Sequence, residues 1–509
     1  MSFPKRAPGL PPVWNARRSI VCAGLIAVGS GQTLGAIALS TSSAALLNGE
    51  PVAFGIPVLA ALLITTCVSL CLFVIQSRTA ERFALSYVHD VRMAYARHVL
   101  LLPFDGRSPG IGLSLTRMVN DLGAIKLWLS RGLLALVTLV PTLATIAAWI
   151  VLAEPTFILP LAVGLAVWAL GILSAMPSLR QSIRLARKKR GGIALLVGRV
   201  LPDRLPLLMH GKLTPVLQRL SKKSVDACRH LTARATWSGV MRAVSRATFP
   251  CAVAVFALSG GADGGAIALF LLVFAFLSAQ LEAGAAGLEY FEANRVARAK
   301  LSGVFSLKPL APFGDRTEAA PNWRESIEIT SLELPSGKVF SAQIPAGVTT
   351  RLQLAEAQDL NHLALSLCGL TLDASQERIC LDGIAFADLD QKTLWRGIAL
   401  VSPLNGFPTY QTKRAAVSLG ARTGATEAEL ASLERLFGVE TGPVPDTARN
   451  LPEADRVRLR LARAFLRKPH VLVLHDDALL ADEDLVANLT RLAEEKGTTL
   501  VLLSRRSPS

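Results

Sequence analysis

The chain has 509 residues, 51% of them hydrophobic and 18% charged, with a formal net charge of +16 and a mean hydropathy of +0.42. That apolar content excludes a disordered chain, and the length with only seven cysteines excludes a secreted disulfide scaffold. The charge is unevenly divided: residues 1–320 carry 33 Lys/Arg against 14 Asp/Glu, whereas residues 321–509 carry 21 against 24.

Six apolar stretches precede residue 300, at about 19–47, 52–76, 132–153, 156–176, 243–260 and 264–286. A hydrocarbon core of ~30 Å needs about 20 apolar residues of helix, so these stretches predict six membrane spans. The fifth is the weakest, because Arg242 and Arg246 precede its strictly apolar run. It spans if both side chains snorkel to one interface. Cys22, Cys67, Cys71 and Cys251 lie within apolar runs and read as buried thiols.

Loop charges give the orientation. The connections 48–51, 154–155 and 261–263 carry no Lys or Arg, while segments 77–131 and 177–242 carry about two dozen between them. The positive-inside rule places the long segments in the cytoplasm. Lys5, Arg6, Arg17 and Arg18 place the N-terminus there, and six spans return the C-terminus to the same side. The first apolar run is too long for a cleaved signal peptide, and the N-terminus is not of transit type, which fits a bacterial inner (plasma) membrane.

Residues 77–103 carry apolar side chains at helical spacing and no Pro or Gly before Pro103. Spans two to five therefore read as helices continuing into the cytoplasm, with elbows near Pro103–Gly112 and Leu201–Lys212. Separate cytoplasmic hairpins are the alternative. The basic run Arg184–Arg190 reads as a solvated helix face near anionic lipid headgroups rather than a nucleic-acid site. A Pro-, Gly- and charge-rich stretch, Lys308–Trp323, then marks a boundary.

From Ser326 short β-type runs alternate with helical ones, an α/β pattern. Ala346-Gly347 precedes an apolar strand and a helix ending Leu367-Cys368-Gly369-Leu370. Arg378–Gly383 (RICLDG), Asp388-Leu389 and Leu394–Val401 (LWRGIALV) follow, then Leu459–Pro469 (LRLARAFLRKP) and Val471–Leu474 (VLVL). In this order the pieces resemble the nucleotide-binding domain of an ATP-binding cassette (ABC) transporter. Val91–Leu129, with Gly110, Arg117, Asn120 and Asp121, resembles the first cytoplasmic loop of exporter-type half-transporters. The resemblance covers nearly the whole chain. It implies a cytoplasmic N-terminus (1–18), a six-span α-helical polytopic membrane domain with long cytoplasmic helices (19–307), a linker (308–325) and an α/β P-loop-NTPase-like cassette (326–509).

The resemblance also implies ATP hydrolysis in sites shared between two cassettes, and each required part is altered here. A phosphate loop G-x-x-x-x-G-K-[ST] cradles phosphates with backbone N–H groups and a Lys; no such pattern occurs in the chain. The matching stretch Leu354–Leu363 has neither Gly nor Lys and is one residue short. It holds Glu356, Asp359, Asn361 and His362; the two acids would repel a triphosphate, and Asp359 or Asn361 is expected to cap the helix. His475 stands at the metal-carboxylate position, although Mg²⁺ prefers oxygen ligands. Asp476 stands at the catalytic Glu position, one methylene short, and Asp477 would serve only after a register shift of one. A transition metal at His475 lacks Cys or His partners.

Pro403 replaces the glutamine expected after the Val401-Ser402 strand end, and Arg505 replaces the switch His. Arg505 can hold a phosphate but shuttles no proton at neutral pH. The signature reads Leu451, Pro452, Glu453, Ala454, Asp455, in which only Leu survives. No aromatic stands near Leu334 to stack on adenine. Mg-ATP, the cofactor implied by the family, is therefore expected to bind weakly or only beside a partner.

The expected partner is a second ABC half-transporter, a heterodimer being favoured over a homodimer, together with membrane lipid and an unknown substrate; nucleic acid is not expected. Elbows near Phe104–Pro109 and Pro202–Gly211 would dock on both cassettes. Thr33, Ser40, Thr41, Ser43 and Glu282 are polar at membrane depth and either line a path or, for Ser and Thr, bond their own helices and, for Glu282, sit at the cytoplasmic end of the last span. The alternative to an exporter subunit is a non-transporting scaffold or regulator that keeps the fold.

Overall fold

The computed structural model describes residues 10–47, 55–104, 114, 117–201, 204–258, 264–310, 323, 325–371, 373–404, 406, 413–419, 427–438 and 452–505. The chain divides into two compact units: Pro8–His98 with Pro109–Ser306, and Val99–Ser108 with Leu307–Ser509.

The described residues of the first unit form long helices. They are α1 (Ala16–Leu47), α2 (Gly55–Leu100), α3 (Leu133–Ala153), α4 (Ile158–Val200), α5 (Leu213–Leu258) and α6 (Gly264–Phe305). A rod with two π-helical stretches, Arg117–Asp121 and Trp128–Gly132, leads into α3. Among the described residues, six helices are long and apolar enough to cross a membrane. α2 and α5 each have 46 residues and α4 has 43. At 1.5 Å per residue such helices are about twice as long as the hydrocarbon core is thick. The spans therefore continue as single helices rather than as separate hairpins, and the elbow after α4 contains the short helix Arg204–Met209.

Packing explains where the sequence expectations fall short. Arg242 and Arg246 have carboxylate partners on α6. Arg246 makes two 2.9 Å bonds to Glu282 of α6, and Arg242 lies 3.9 Å from Glu289. Carboxylates on α6 thus face these two arginines of α5. Cys67 and Cys71 are exposed rather than buried, and Cys22 and Cys251 are half-buried. The apolar face of α2 that carries Cys67 and Cys71 points away from the bundle, where hydropathy alone cannot tell lipid from core. α4 and α5 approach closely at Gly171, where an added Cβ would lie 2.3 Å from Val244.

The second unit is α/β. Strands β1 (Ser326–Glu333), β2 (Val339–Pro345), β4 (Ile379–Leu381) and β5 (Ile384–Ala385) form an antiparallel sheet in the order β2-β1-β4-β5. Asp382 and Gly383, at φ 49° and 80°, make the tight turn between β4 and β5. Strands β3 (Thr349–Leu354), β6 (Ile398–Val401), β7 (Val471–Leu474) and β8 (Thr499–Arg505) form a parallel sheet in the order β3-β8-β7-β6. Helices α7 (Ala357–Leu367), α8 (Gln391–Gly397), α9 (Glu427–Phe437), α10 (Glu453–Leu466) and α11 (Glu483–Glu495) accompany the strands.

All four residues of β7 are buried, as a central parallel strand requires. Alternation sends them to two cores. Leu472 and Leu474 join residues of α9, α10 and α11, while Val471 and Val473 join those of β1 and α7. This layering brings the carboxyl ends of β3, β6, β7 and β8 to one edge, where open α/β sheets bind their ligands.

Candidate functional site

The turn from β3 to α7 decides what that edge can hold. β3 ends at Leu354 and α7 starts at Ala357, so only Ala355 and Glu356 connect them. A phosphate-cradling loop needs several residues whose N–H groups turn inward around the anion. Two residues leave no such loop.

Glu356 is the N-cap residue of α7, and its side chain makes no capping bond. Asp359, one of the two residues expected to cap the helix, turns to Ser336 instead. Asp359 is 2% exposed, and its carboxylate accepts bonds from the Ser336 amide at 3.0 Å and the Ser336 hydroxyl at 2.7 Å. It turns to the β1–β2 hairpin because a buried carboxylate needs donors, and Ser336 supplies two. Of the two acids expected to oppose a phosphate, Glu356 alone remains at the helix start, where the Gln358 amide donates to it at 2.6 Å. Asn361 and His362 are half-buried within α7.

Beyond β7, the His475 amide donates to the Val401 carbonyl at 2.8 Å, and its Nδ1 lies 3.3 Å from the Ser402 hydroxyl. Burial lowers the His475 pKa, Asp477 and Asp476 pull it up, and Arg505 lowers it again. Among the described residues no group of three His, Cys, Asp or Glu is placed to hold a metal ion.

Asp476 is buried, with its carboxylate 3.4 Å from the Arg460 guanidinium and from the Leu479 amide. Asp477 is exposed and starts a short helix, with Arg505 4.0 Å away. Pro403 is exposed beyond β6. In the signature segment Pro452 is the N-cap of α10, Ala454 is exposed, and Asp455 lies 3.8 Å from Arg458 on its own helix. Leu451 and the Glu453 side chain lie outside the described residues, as does Gly110.

Sequence reasoning missed the arginines of α10. Arg460 meets Asp476, Arg463 donates to the Gly406 carbonyl at 3.5 Å, and Arg467 donates to the Trp395 carbonyl. Burial lowers the Arg463 pKa to about 10, helped by Arg460 and Arg467. The signal was present as Arg at 456, 460, 463 and 467, a spacing that places them along one side of a helix.

The polar groups of the helical unit also resolve. Thr33 is buried; its hydroxyl donates to the Gly29 carbonyl at 3.0 Å and lies 2.8 Å from the Thr142 hydroxyl. Ser40, Thr41 and Ser43 donate to carbonyls of α1. Glu282, expected as a path-lining acid, is held by Arg246. In the α/β unit, the Phe104 amide donates to the Leu370 carbonyl at 3.3 Å, and the Leu310 amide donates to the Leu101 carbonyl at 2.7 Å.

No known family profile matches the sequence, and no curated protein does. A solved structure described as a bacterial Atm1-family ABC exporter with ATP bound is similar over 96% of this chain and 91% of its own. The identity is 14% and the TM-score 0.78, so the likeness carries the fold. Long apolar helices in the first unit and parallel strands in the second agree with it: this chain is a multi-pass membrane protein with the fold of an ABC exporter, a six-helix membrane domain followed by a cassette.

Proposed function

We propose that the chain is the non-hydrolysing half of a heterodimeric exporter, working with an ATP-hydrolysing second half-transporter in a bacterial inner membrane. Residues 19–307 are its transmembrane domain, 308–325 a linker and 326–509 a degenerate cassette, with both termini and the cassette in the cytoplasm. The observation that carries this reading is the two-residue turn between β3 and α7. Without a loop the cradle of N–H groups is lost, and without Lys the loop's own cation for the β/γ oxygens is lost too.

Removing one preorganised charge-stabilising donor costs ~3–4 kcal/mol of transition-state stabilisation. Loss of the loop, the metal carboxylate and the signature together leaves little catalysis even when the effects are not additive. The cassette fold remains, with Phe104 bonded to Leu370, and a partner's movement has a route into the elbow after α2.

The test is Mg-ATP turnover by the full-length chain isolated alone and isolated with a co-expressed second half-transporter. Turnover by the pair alone, abolished when the partner's catalytic carboxylate is neutralised, is the expected result. Turnover by this chain alone contradicts the proposal. A pair that neither hydrolyses ATP nor moves solute across vesicles favours the scaffold reading instead.

A further inference from the structure

The helical unit contains a cavity of about 650 Å³ between α1, α2, the rod leading into α3, α3 and α6. Its lining is unusual for a membrane bundle. Three amides reach it from three helices, Gln32 of α1, Gln76 of α2 and Gln280 of α6. Gln76 is buried, and so is Ser130 of the rod. The Gln32 Nε2 and the Ser130 hydroxyl are both shielded from solvent and have no hydrogen-bond partner among the described residues. Buried polar atoms are normally satisfied by protein or ordered water, so unpaired ones on side chains that line the cavity mark residues with hydrogen-bonding capacity to spare for a ligand.

Charge narrows the ligand. Among the described residues, Glu81 and Arg131 are the ionisable ones that line the cavity. Glu81 is paired with Lys126 at 2.5 Å, which cancels it. Arg131 is exposed and has no ion pair among the described residues. Among the described residues Arg131 thus brings a guanidinium without an ion pair to the cavity, and its planar fork suits an oxyanion such as a carboxylate. Phe73 and Phe276 supply apolar wall.

We propose that this cavity binds a small amphipathic organic monoanion, with its acid group at Arg131, amide or hydroxyl groups at Gln32, Gln76, Gln280 and Ser130, and an apolar arm against Phe73 and Phe276. The volume fits one drug-sized molecule. As the transported substrate's site it rests on the exporter reading; as a binding site it rests on this lining alone.

The test uses the full-length chain in phosphatidylcholine nanodiscs, without partner or nucleotide. The probe is dansyl-glutamine, which has a carboxylate, an amide and an aromatic arm, compared with dansyl-glutaminamide, in which a neutral amide replaces the carboxylate. Dansyl emission is expected to rise and saturate, with the anion bound about tenfold more tightly, as for one charge-assisted contact. Arg131→Gln is expected to make the two affinities equal, and Arg131→Lys to keep most of the preference. Gln32→Leu is expected to weaken both ligands alike.

Equal affinities in the unaltered chain, or an undiminished preference in Arg131→Gln, overturns the proposal. Displacement of the probe by phosphatidylglycerol in the disc also overturns it, because the guanidinium then belongs to a lipid headgroup. The assay involves no partner, so its outcome is separate from that of partner-dependent ATP turnover.

Discussion

Arg460 and Asp476 face each other at 3.4 Å with both side chains 4% exposed. Asp476 stands where the family resemblance implies the catalytic carboxylate, and Arg460 lies on the helix that follows the signature segment. An acid that must polarise water is instead paired inside the domain. Removing one partner of a buried ion pair strands the other charge and typically costs about 3–5 kcal/mol. Arg460→Met is therefore expected to lower the thermal unfolding midpoint of the purified protein sharply, with Arg460→Met/Asp476→Leu recovering much of the loss. Asp476→Glu is expected to gain no ATPase activity, read by phosphate release. Equal midpoints for Arg460→Met and the parent would mean that the pair contributes nothing.

Asp359 is a second acid used for structure. It receives two hydrogen bonds from Ser336 while 2% exposed. Bonds to charged groups contribute about 1.5–3 kcal/mol each. Asp359→Ala is expected to destabilise the cassette by at least about that amount without creating affinity for Mg-ATP. Ser336→Gly, which keeps the amide donor, is expected to cost less. Denaturant unfolding of the two variants orders them.

Much of this was legible in the sequence. Apolar runs of sufficient length gave the six spans, and helical spacing in 77–103 anticipated that α2 extends to Leu100. The missing Gly and Lys at 354–363 were visible too. What stayed hidden depends on which groups meet across helices. Nothing in the sequence pairs Arg246 with Glu282, or turns Asp359 away from its own helix start towards Ser336. Nor does hydropathy separate a thiol on the outer face of a helix from one packed within the bundle, and Cys67 and Cys71 lie exposed rather than buried. The arginine stripe of α10 was readable but ambiguous, since arginines at that spacing more often lie on a solvated face.

His475 gives a pH signature. Its pKa in the fold is lowered chiefly by burial, so the unfolded chain binds the proton more readily than the folded one. Stability contributed by neutral His475 is present above the unfolded value of about 6.5 and is lost as pH falls towards the lower folded value. Unfolding midpoints measured from pH 7.5 downward are expected to fall more steeply for the parent protein than for His475→Gln. Parallel curves would contradict that.

Thiol chemistry separates inside from outside. Cys228 is exposed, whereas Cys368 is 5% exposed and burial pushes its thiol up to about 12. Thiolates are the reactive form, so maleimide at pH 7.5 is expected to label Cys228 rapidly and Cys368 only after unfolding. Peptide mapping by mass spectrometry reads both rates, and comparable rates would contradict the packing around Cys368.

Equilibrium binding of Mg-ATP to the purified full-length chain, with no second cassette present, tests the central claim most directly. A β3–α7 turn of two residues predicts no saturable binding up to millimolar nucleotide. Saturable binding at millimolar concentration or tighter would contradict the account, and would return Asp476 and Asp477 to consideration as metal ligands.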